Sequence, residues 1–273
     1  MMQWNQGMKS GGLIAALVIG LVLLAGVSSG EDGAEVWSGE LAVAITAQSG
    51  TTDTFSGSID AKAERSWGEI DLVSLRFTGV YGTSRKGSSN PSKTDTIQNS
   101  QSLFARWNHT IDGRFFWATG SELTRDGTQD LKLRAALSTG PAYRLWMGED
   151  PAKHYFDVSA GPGYRYESYD GNTGETPPAE NSDSNHFVDL VAAFEYKNMF
   201  FEDRIEYSHT GSGRVPANDP GSYILRSEMI VGVPITGAWS FRTSFLVEFV
   251  ADPGPSVLNK TTTRTSVGLG YKF

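Results

Sequence analysis

The chain of 273 residues contains no cysteine, which excludes a disulfide scaffold, a thiolate metal site, a cysteine nucleophile and a lipid-anchored lipoprotein N-terminus. Charged residues are few, at 20%, and bases (23) are outnumbered by acids (31), a formal charge of −8. That balance argues against nucleic acid as a partner, because phosphate binding needs a basic face. Sustained helical periodicity is missing after Glu35. Also missing are zinc-ligand spacing, a calcium-loop pattern and a glycine-rich phosphate cradle, so no metal and no cofactor is expected. What the chain does have is 31 glycines and 11% aromatic residues, the composition of a turn-rich, aromatic-rich β-protein. Its mean hydropathy of −0.29 taken alone would suit an ordinary soluble domain.

Residues 1–30 carry Lys9, an apolar run from Leu13 to Val27 and then Ser28, Ser29 and Gly30. This is the layout of a secretory signal peptide, and the run is shorter than the ~20 apolar residues of a spanning helix. Cleavage is expected around Val27 to Gly30, leaving residues 31–273 as one domain with a slightly more negative charge. The competing reading is a retained N-terminal anchor.

From Trp37 onward apolar and polar residues alternate with the two-residue period of a strand whose faces meet different surroundings. Trp37, Gly39, Leu41, Val43, Ile45 and Ala47 share one face of the first strand. Twelve strands are expected, near 35–48, 54–66, 70–84, 96–109, 114–125, 130–146, 154–169, 186–197, 200–210, 223–235, 239–250 and 261–273. Pro141 and Pro162 fall inside strands and predict local irregularity, since each removes a ladder hydrogen bond. Mostly short connections follow the even strands and mostly longer, more polar ones follow the odd strands. This sorting predicts an all-β, closed, antiparallel up-and-down transmembrane β-barrel in a Gram-negative outer membrane, with both termini periplasmic.

Closure is required of strands in lipid, because an open edge leaves unpaired backbone groups costing several kcal/mol each. The apolar faces then point outward, including Leu75 and Phe77, Leu133 and Leu137, Phe241 and Phe245. Many aromatics cluster near strand ends as an interfacial girdle, among them Trp37, Tyr81, Trp107, Tyr143, Tyr196, Trp239 and Tyr271. The opposite parity collects the charges on the inner face. The acids are Glu40, Asp60, Glu64, Glu122, Asp157, Glu167, Asp189, Glu195, Glu202, Glu206, Glu228 and Glu248. The bases, equal in number, are Lys62, Arg76, Arg106, Lys132, Arg134, Arg144, Arg165, Arg204, Arg226, Arg242, Arg264 and Lys272. Buried charges persist only when paired or hydrated. The lumen is therefore expected to be either cross-braced and nearly closed, or a narrow water-filled channel. Its charge ladder is the candidate working surface.

The last strand ends Val267-Gly268-Leu269-Gly270-Tyr271-Lys272-Phe273, and Leu269, Tyr271 and Phe273 alternate up to the terminal aromatic residue. This looks like the assembly signal of Gram-negative outer-membrane barrels, and implies the barrel-assembly machinery as a partner during biogenesis. The runs Leu137-Ser138-Thr139-Gly140-Pro141-Ala142-Tyr143-Arg144-Leu145 and Ala160-Gly161-Pro162-Gly163-Tyr164-Arg165-Tyr166-Glu167 resemble the paired Gly-x-x-Tyr strands of the salt-induced outer-membrane proteins, domain of unknown function 481. The resemblance spans roughly residues 37–273 and implies an outer-membrane barrel with no settled activity.

Three functions follow as expectations. The leading one is a monomeric, non-enzymatic barrel acting as a narrow passive channel or an envelope-integrity protein. A second is a lipid-modifying hydrolase at the outer leaflet. Of the four histidines, His109 and His154 fall at the periplasmic side. His186 and His209 are expected at the outer side, within sequence reach of Ser184 or Ser208 and Asp183 or Asp189, although no phospholipase-type His-x-Ser is present. The third is a plugged structural or adhesive barrel. Arg85, Lys86 and Lys93 in an outer loop are candidates for contact with lipopolysaccharide phosphates.

Overall fold

A computed structural model describes residues 37–48, 52–68, 70–86, 94–169, 184–252 and 260–273. The expected signal peptide therefore lies outside the described residues. Twelve strands are present: β1 (Ser38–Gln48), β2 (Thr52–Trp67), β3 (Asp71–Lys86), β4 (Thr94–Asp112), β5 (Phe115–Asp126), β6 (Leu131–Met147), β7 (Tyr155–Tyr169), β8 (Ser184–Phe200), β9 (Ile205–Pro216), β10 (Ile224–Pro234), β11 (Trp239–Val250) and β12 (Thr261–Lys272). Each pairs antiparallel with its sequence neighbours, and β12 returns to β1, closing the barrel.

The alternation seen in sequence decides which face of each strand points where. Side chains of the outer parity are apolar and exposed, such as Ile45, Leu137, Leu190 and Phe241. Side chains of the inner parity are buried although polar, such as Arg134, Arg165, Glu167 and Asp189. A soluble barrel would have the reverse. Aromatic pairs ring the rim that carries the turns after even strands: Trp37 against Trp67, Trp146 against Tyr196, and Trp239 against Tyr271. Both described chain ends lie at this turn rim.

Two proline-bearing strands show how a ladder can break without losing register. Between β6 and β7 pairing runs through Ser138↔Gly163 and resumes at Ala142↔Ser159 in the same register. The gap holds Gly140-Pro141 and Gly161-Pro162. The two glycine backbones press together there, so that a Cβ on Gly140 would lie 2.8 Å from the Gly161 Cα. The register shifts lie elsewhere, in this pair at Leu131/Leu133 and Arg144/Trp146 and in others at Gly82/Thr83, Thr110/Asp112 and Thr124/Asp126.

β9 departs most from expectation. The turn before it is not at Asn198-Met199 but at residues 201–204, where Phe201, Glu202 and Asp203 all have φ between 55° and 63°. That left-handed region favours glycine, and none is present, so the segment carries no local turn cue. β9 consequently extends to Pro216, through residues expected to be loop.

Candidate functional site

The barrel interior holds a continuous set of ion pairs, held by strands whose inner parity positions each charge. Near the loop rim, Glu167 accepts from Arg134 Nε and Arg165 Nη1, each at 2.7 Å, and from the Tyr169 hydroxyl at 2.9 Å. Arg165 also reaches Asp189 at 3.2 Å and the Ser222 carbonyl at 3.1 Å, and lies over the Phe187 ring. Arg134 continues to Glu248 on β11 at 3.4 Å. This is the driest part of the network: the side chains of Arg134, Arg165 and Glu167 are 3%, 1% and 3% exposed.

At mid-height the bridges cross the lumen. Arg76 on β3 binds Asp60 on the adjacent β2 and, with both Nη atoms, Glu228 on β10 at 2.7 and 2.8 Å. Arg226 on β10 sits 3.7 Å from Glu228 and 3.6 Å from Glu248, with its guanidinium over Phe104 of β4 on the opposite wall. Toward the turn rim, Arg106 on β4 pairs with Glu195 on β8, Arg242 with Glu40, Arg144 with Asp157, Lys62 with Glu64, and Lys272 with Glu206. Arg76–Glu228 and Arg106–Glu195 thus reach across the lumen at two heights, which is the arrangement of a braced interior.

Two spaces remain. One of about 70 Å³ lies against β1–β3 and β10–β12, and one of about 30 Å³ lies above it toward the loop rim. Thr78, Arg226, Leu246 and Arg264 line both. Each could hold water, which needs only ~10–15 Å³ with polar partners, but side chains separate them.

The structure places Glu40, Asp60, Lys62, Arg76, Arg106, Arg134, Arg165, Asp189, Arg226, Glu228, Arg242 and Glu248 in this network. Arg264 lines both spaces, and among the described residues it has no ion pair within 4 Å. Its Nε is buried without a hydrogen-bond partner. Arg204 is a correction: it lies exposed in the 201–204 turn, outside the lumen, because β9 begins only at Ile205. Glu202 leaves the lumen for the same reason. Lys132 is also turned out, exposed at the bulge that brings both Leu131 and Arg134 inward. Conversely, Arg214 joins the interior opposite Glu122 at 3.6 Å. The strand bounds expected from the sequence put Arg214 in a loop; its even parity, shared with Glu206, is the cue to the inner face. Tyr155 and Tyr169 bind Glu195 and Glu167; an outward reading of aromatics hides them, although they share the odd parity of Asp157 and Arg165 on β7.

The histidines take other places. His186 stands near the loop rim with Nδ1 2.5 Å from the Tyr164 hydroxyl and its ring beside Tyr166. Of its expected partners, Asp183 lies outside the described residues and Asp189 is turned inward onto Arg165. His209 is in the turn-side half of β9, not at the outer rim as expected. It faces outward between Phe194 and Tyr207, with Nε2 2.9 Å from Ser227 Oγ. Ser208 cannot reach it, because consecutive strand residues point to opposite faces. His109 and His154, on the turn side, bond Asp71 and Asn198. Arg85 and Lys86 end β3, but their side chains lie outside the described residues, as does all of Lys93. Leu269, Tyr271 and Phe273 lie on the outer face at the β1–β12 seam, Tyr271 against Trp239.

Outside the strands, the turn after β6 is tied to the turn after β8 by Lys153 Nζ to Asp203 Oδ2 at 2.7 Å. This hydrogen bond holds the Asp203 carboxyl below its ordinary range and the Lys153 ammonium above its own.

No curated protein matches the sequence. Solved structures of similar chain path include an outer membrane channel from Pseudomonas putida F1, with 10% identity and a TM-score of 0.48 over 90% of this chain and 98% of that one. The translocator domain of autotransporter NalP from Neisseria meningitidis has 14% identity and a TM-score of 0.46 over 97% and 98%. The NanC porin has 10% identity and a TM-score of 0.43 over 86% and 98%. The fold itself rests on the strand pairing seen directly. The family model described as protein of unknown function, DUF481, matches residues 41–273, from within β1 to the terminal Phe273, and the chain belongs to that family.

Proposed function

We propose that this protein is a non-enzymatic outer-membrane barrel that is closed at rest, serving envelope integrity rather than free diffusion. The exposed apolar outer face, the polar buried interior and the aromatic rim support a membrane-spanning orientation. The sorting of short turns to the chain-end rim supports periplasmic termini. The partners of this reading are outer-membrane lipid and lipopolysaccharide around a monomer, and the assembly machinery at the Leu269-Tyr271-Phe273 strand end.

One observation carries the closed state: the two-pronged bond from Arg76 of β3 to Glu228 of β10, which ties opposite walls across the middle of the lumen. An open pore would keep such charges on the wall and hydrated. Single-channel recording in planar bilayers tests it. Wild-type protein gives no stable steps. Arg226→Ala, which removes one of the two guanidinium groups that line both lumen spaces, gives flickering conductance with intact heat-modifiable mobility. Stable, ion-selective steps in the wild type would overturn the reading.

A further inference from the structure

The barrel wall is not equally closed all the way round. Ten of its neighbouring strand pairs other than β1–β12 share at least eleven paired positions, and β9–β10 shares nine. β1 and β12 share five, from Glu40↔Lys272 to Ala44↔Gly268. The turn-rim end is firmly tied, with backbone bonds between Gly39 and Phe273 of 2.9 and 3.0 Å. Beyond Ala44 the two strands continue, but only with their other neighbours: Ile45–Gln48 stay paired with β2, and Thr261–Val267 with β11. Among the described residues, the loop-side half of this seam therefore has two strand edges facing each other without a ladder. In lipid such edges are costly unless something satisfies them.

Directly behind the point where the ladder stops lies the larger lumen space, about 70 Å³. Ala44 lines it from one side of the seam and Ser266 and Gly268 from the other; Arg226, Arg242 and Arg264 line it together with Arg76, whose guanidinium holds the Asp60 and Glu228 carboxylates of the same lining. Arg242 is committed to Glu40, and Arg226 to Glu228 and Glu248. Among the described residues Arg264 has no ion pair within 4 Å and its Nε is buried without a hydrogen-bond partner, the Asp126 carboxylate beside the smaller space being the acid that acts on it most. A guanidinium in that state is stabilised by an anion with several acceptor oxygens. Along the axis the Arg242–Glu40 pair lies toward the turn rim and the Arg226–Glu248 pair toward the loop rim. It is large enough for a headgroup and too small for a chain. The outer surface beside it is apolar and exposed at Val43, Ile45, Val267 and Leu269.

We propose that the loop-side half of the β1–β12 seam is a lateral portal, through which the anionic headgroup of a membrane amphiphile enters the arginine-lined space while its acyl chain stays outside against Val43, Ile45 and Val267. The proposal rests on the reading of the barrel as membrane-spanning and closed along its axis. The shared ligand chemistry is a compact oxyanion on an apolar tail, a carboxylate or a phosphate monoester.

Photolabelling in phosphatidylcholine nanodiscs tests it, using laurate, dodecyl phosphate and neutral dodecyl maltoside, each with a diazirine near the tail end, and mapping adducts by mass spectrometry. The anionic probes label peptides 41–47 and 263–269 at least fivefold more than other outer-face peptides, and the stronger of the two identifies the headgroup. The neutral probe labels the outer face evenly. Arg264→Gln removes the preference, and Arg264→Lys keeps most of it. The native chain has no cysteine, so Thr46→Cys with Ser266→Cys gives a clean lock. Joining the two new thiols abolishes the preference, and reduction restores it. If the pair stays reduced in the folded barrel, Arg264→Gln decides alone. Even labelling by anionic probes, or an unchanged preference in Arg264→Gln, overturns the portal. Absence of outer-face labelling by every probe would instead overturn the membrane-spanning reading on which it rests.

Discussion

Replacing Glu167 by glutamine isolates the value of the dry end of the lumen network. The change keeps the side chain's size and one carbonyl acceptor, but removes the charge that Arg134 and Arg165 share at 2.7 Å. Each arginine retains a second, longer partner, Glu248 at 3.4 Å and Asp189 at 3.2 Å. Two guanidinium groups that are almost wholly buried are then left with less counter-charge than they had. Breaking a buried pair from one side costs about 3–5 kcal/mol, and the retained partners place the expected loss near the lower bound, about 3 kcal/mol. At ~1.4 kcal/mol per decade this is a change of roughly a hundredfold in the unfolding equilibrium. The assay is urea unfolding of the barrel refolded into vesicles, followed by tryptophan fluorescence. The midpoint falls while the slope against urea is unchanged, since the exposed surface is the same. Arg165→Met combined with Glu167→Gln costs less than the sum of the two single changes, by about 0.5–3 kcal/mol, as expected for groups in contact. A loss under about 1 kcal/mol for Glu167→Gln, the value of a solvated surface pair, would refute the reasoning, because it would mean that water already bathes this level of the lumen.

Two further outcomes follow from local geometry. Gly140→Ala drives a methyl group into the β7 backbone at Ala160 and Gly161. It should lower the unfolding free energy by about 1–3 kcal/mol or more, whereas Gly113→Ala, with open space at its Cβ, should be nearly silent in the same unfolding assay. The Lys153–Asp203 tie has a pH window with both limits set by sign. The lowered Asp203 carboxyl contributes above its unfolded value, ~3.9, and is lost as pH falls through its folded value. The raised Lys153 contributes below its unfolded value, ~10.4, and is lost as pH rises through its folded one. Carboxyl carbon NMR should find Asp203 titrating below ~3.9, and Lys153→Met should return it to the ordinary value; an unshifted midpoint in the wild type would contradict the tie.

The two-residue alternation is a property of each strand's own backbone, because successive side chains point to opposite faces whatever the strand pairs with. Strand number, strand faces, the collection of charges on one parity and the broken ladder at Pro141 and Pro162 were therefore all legible in the amino-acid order. The slip of β9 was not. Its turn is made by Phe201, Glu202 and Asp203 in a conformation that glycine or asparagine would have announced, so Arg204 was assigned to the lumen and Arg214 to a loop. Nor could alternation say which charge meets which. Arg76 and Glu228 are 152 residues apart and meet only because closure brings β3 opposite β10, at a height set by the accumulated register of every intervening strand. The same closure leaves β1 and β12 with five paired positions and, behind them, Arg264 with no ion pair within 4 Å among the described residues. Those are consequences of where the last strand meets the first, which depends on the whole circumference and is written in no single segment.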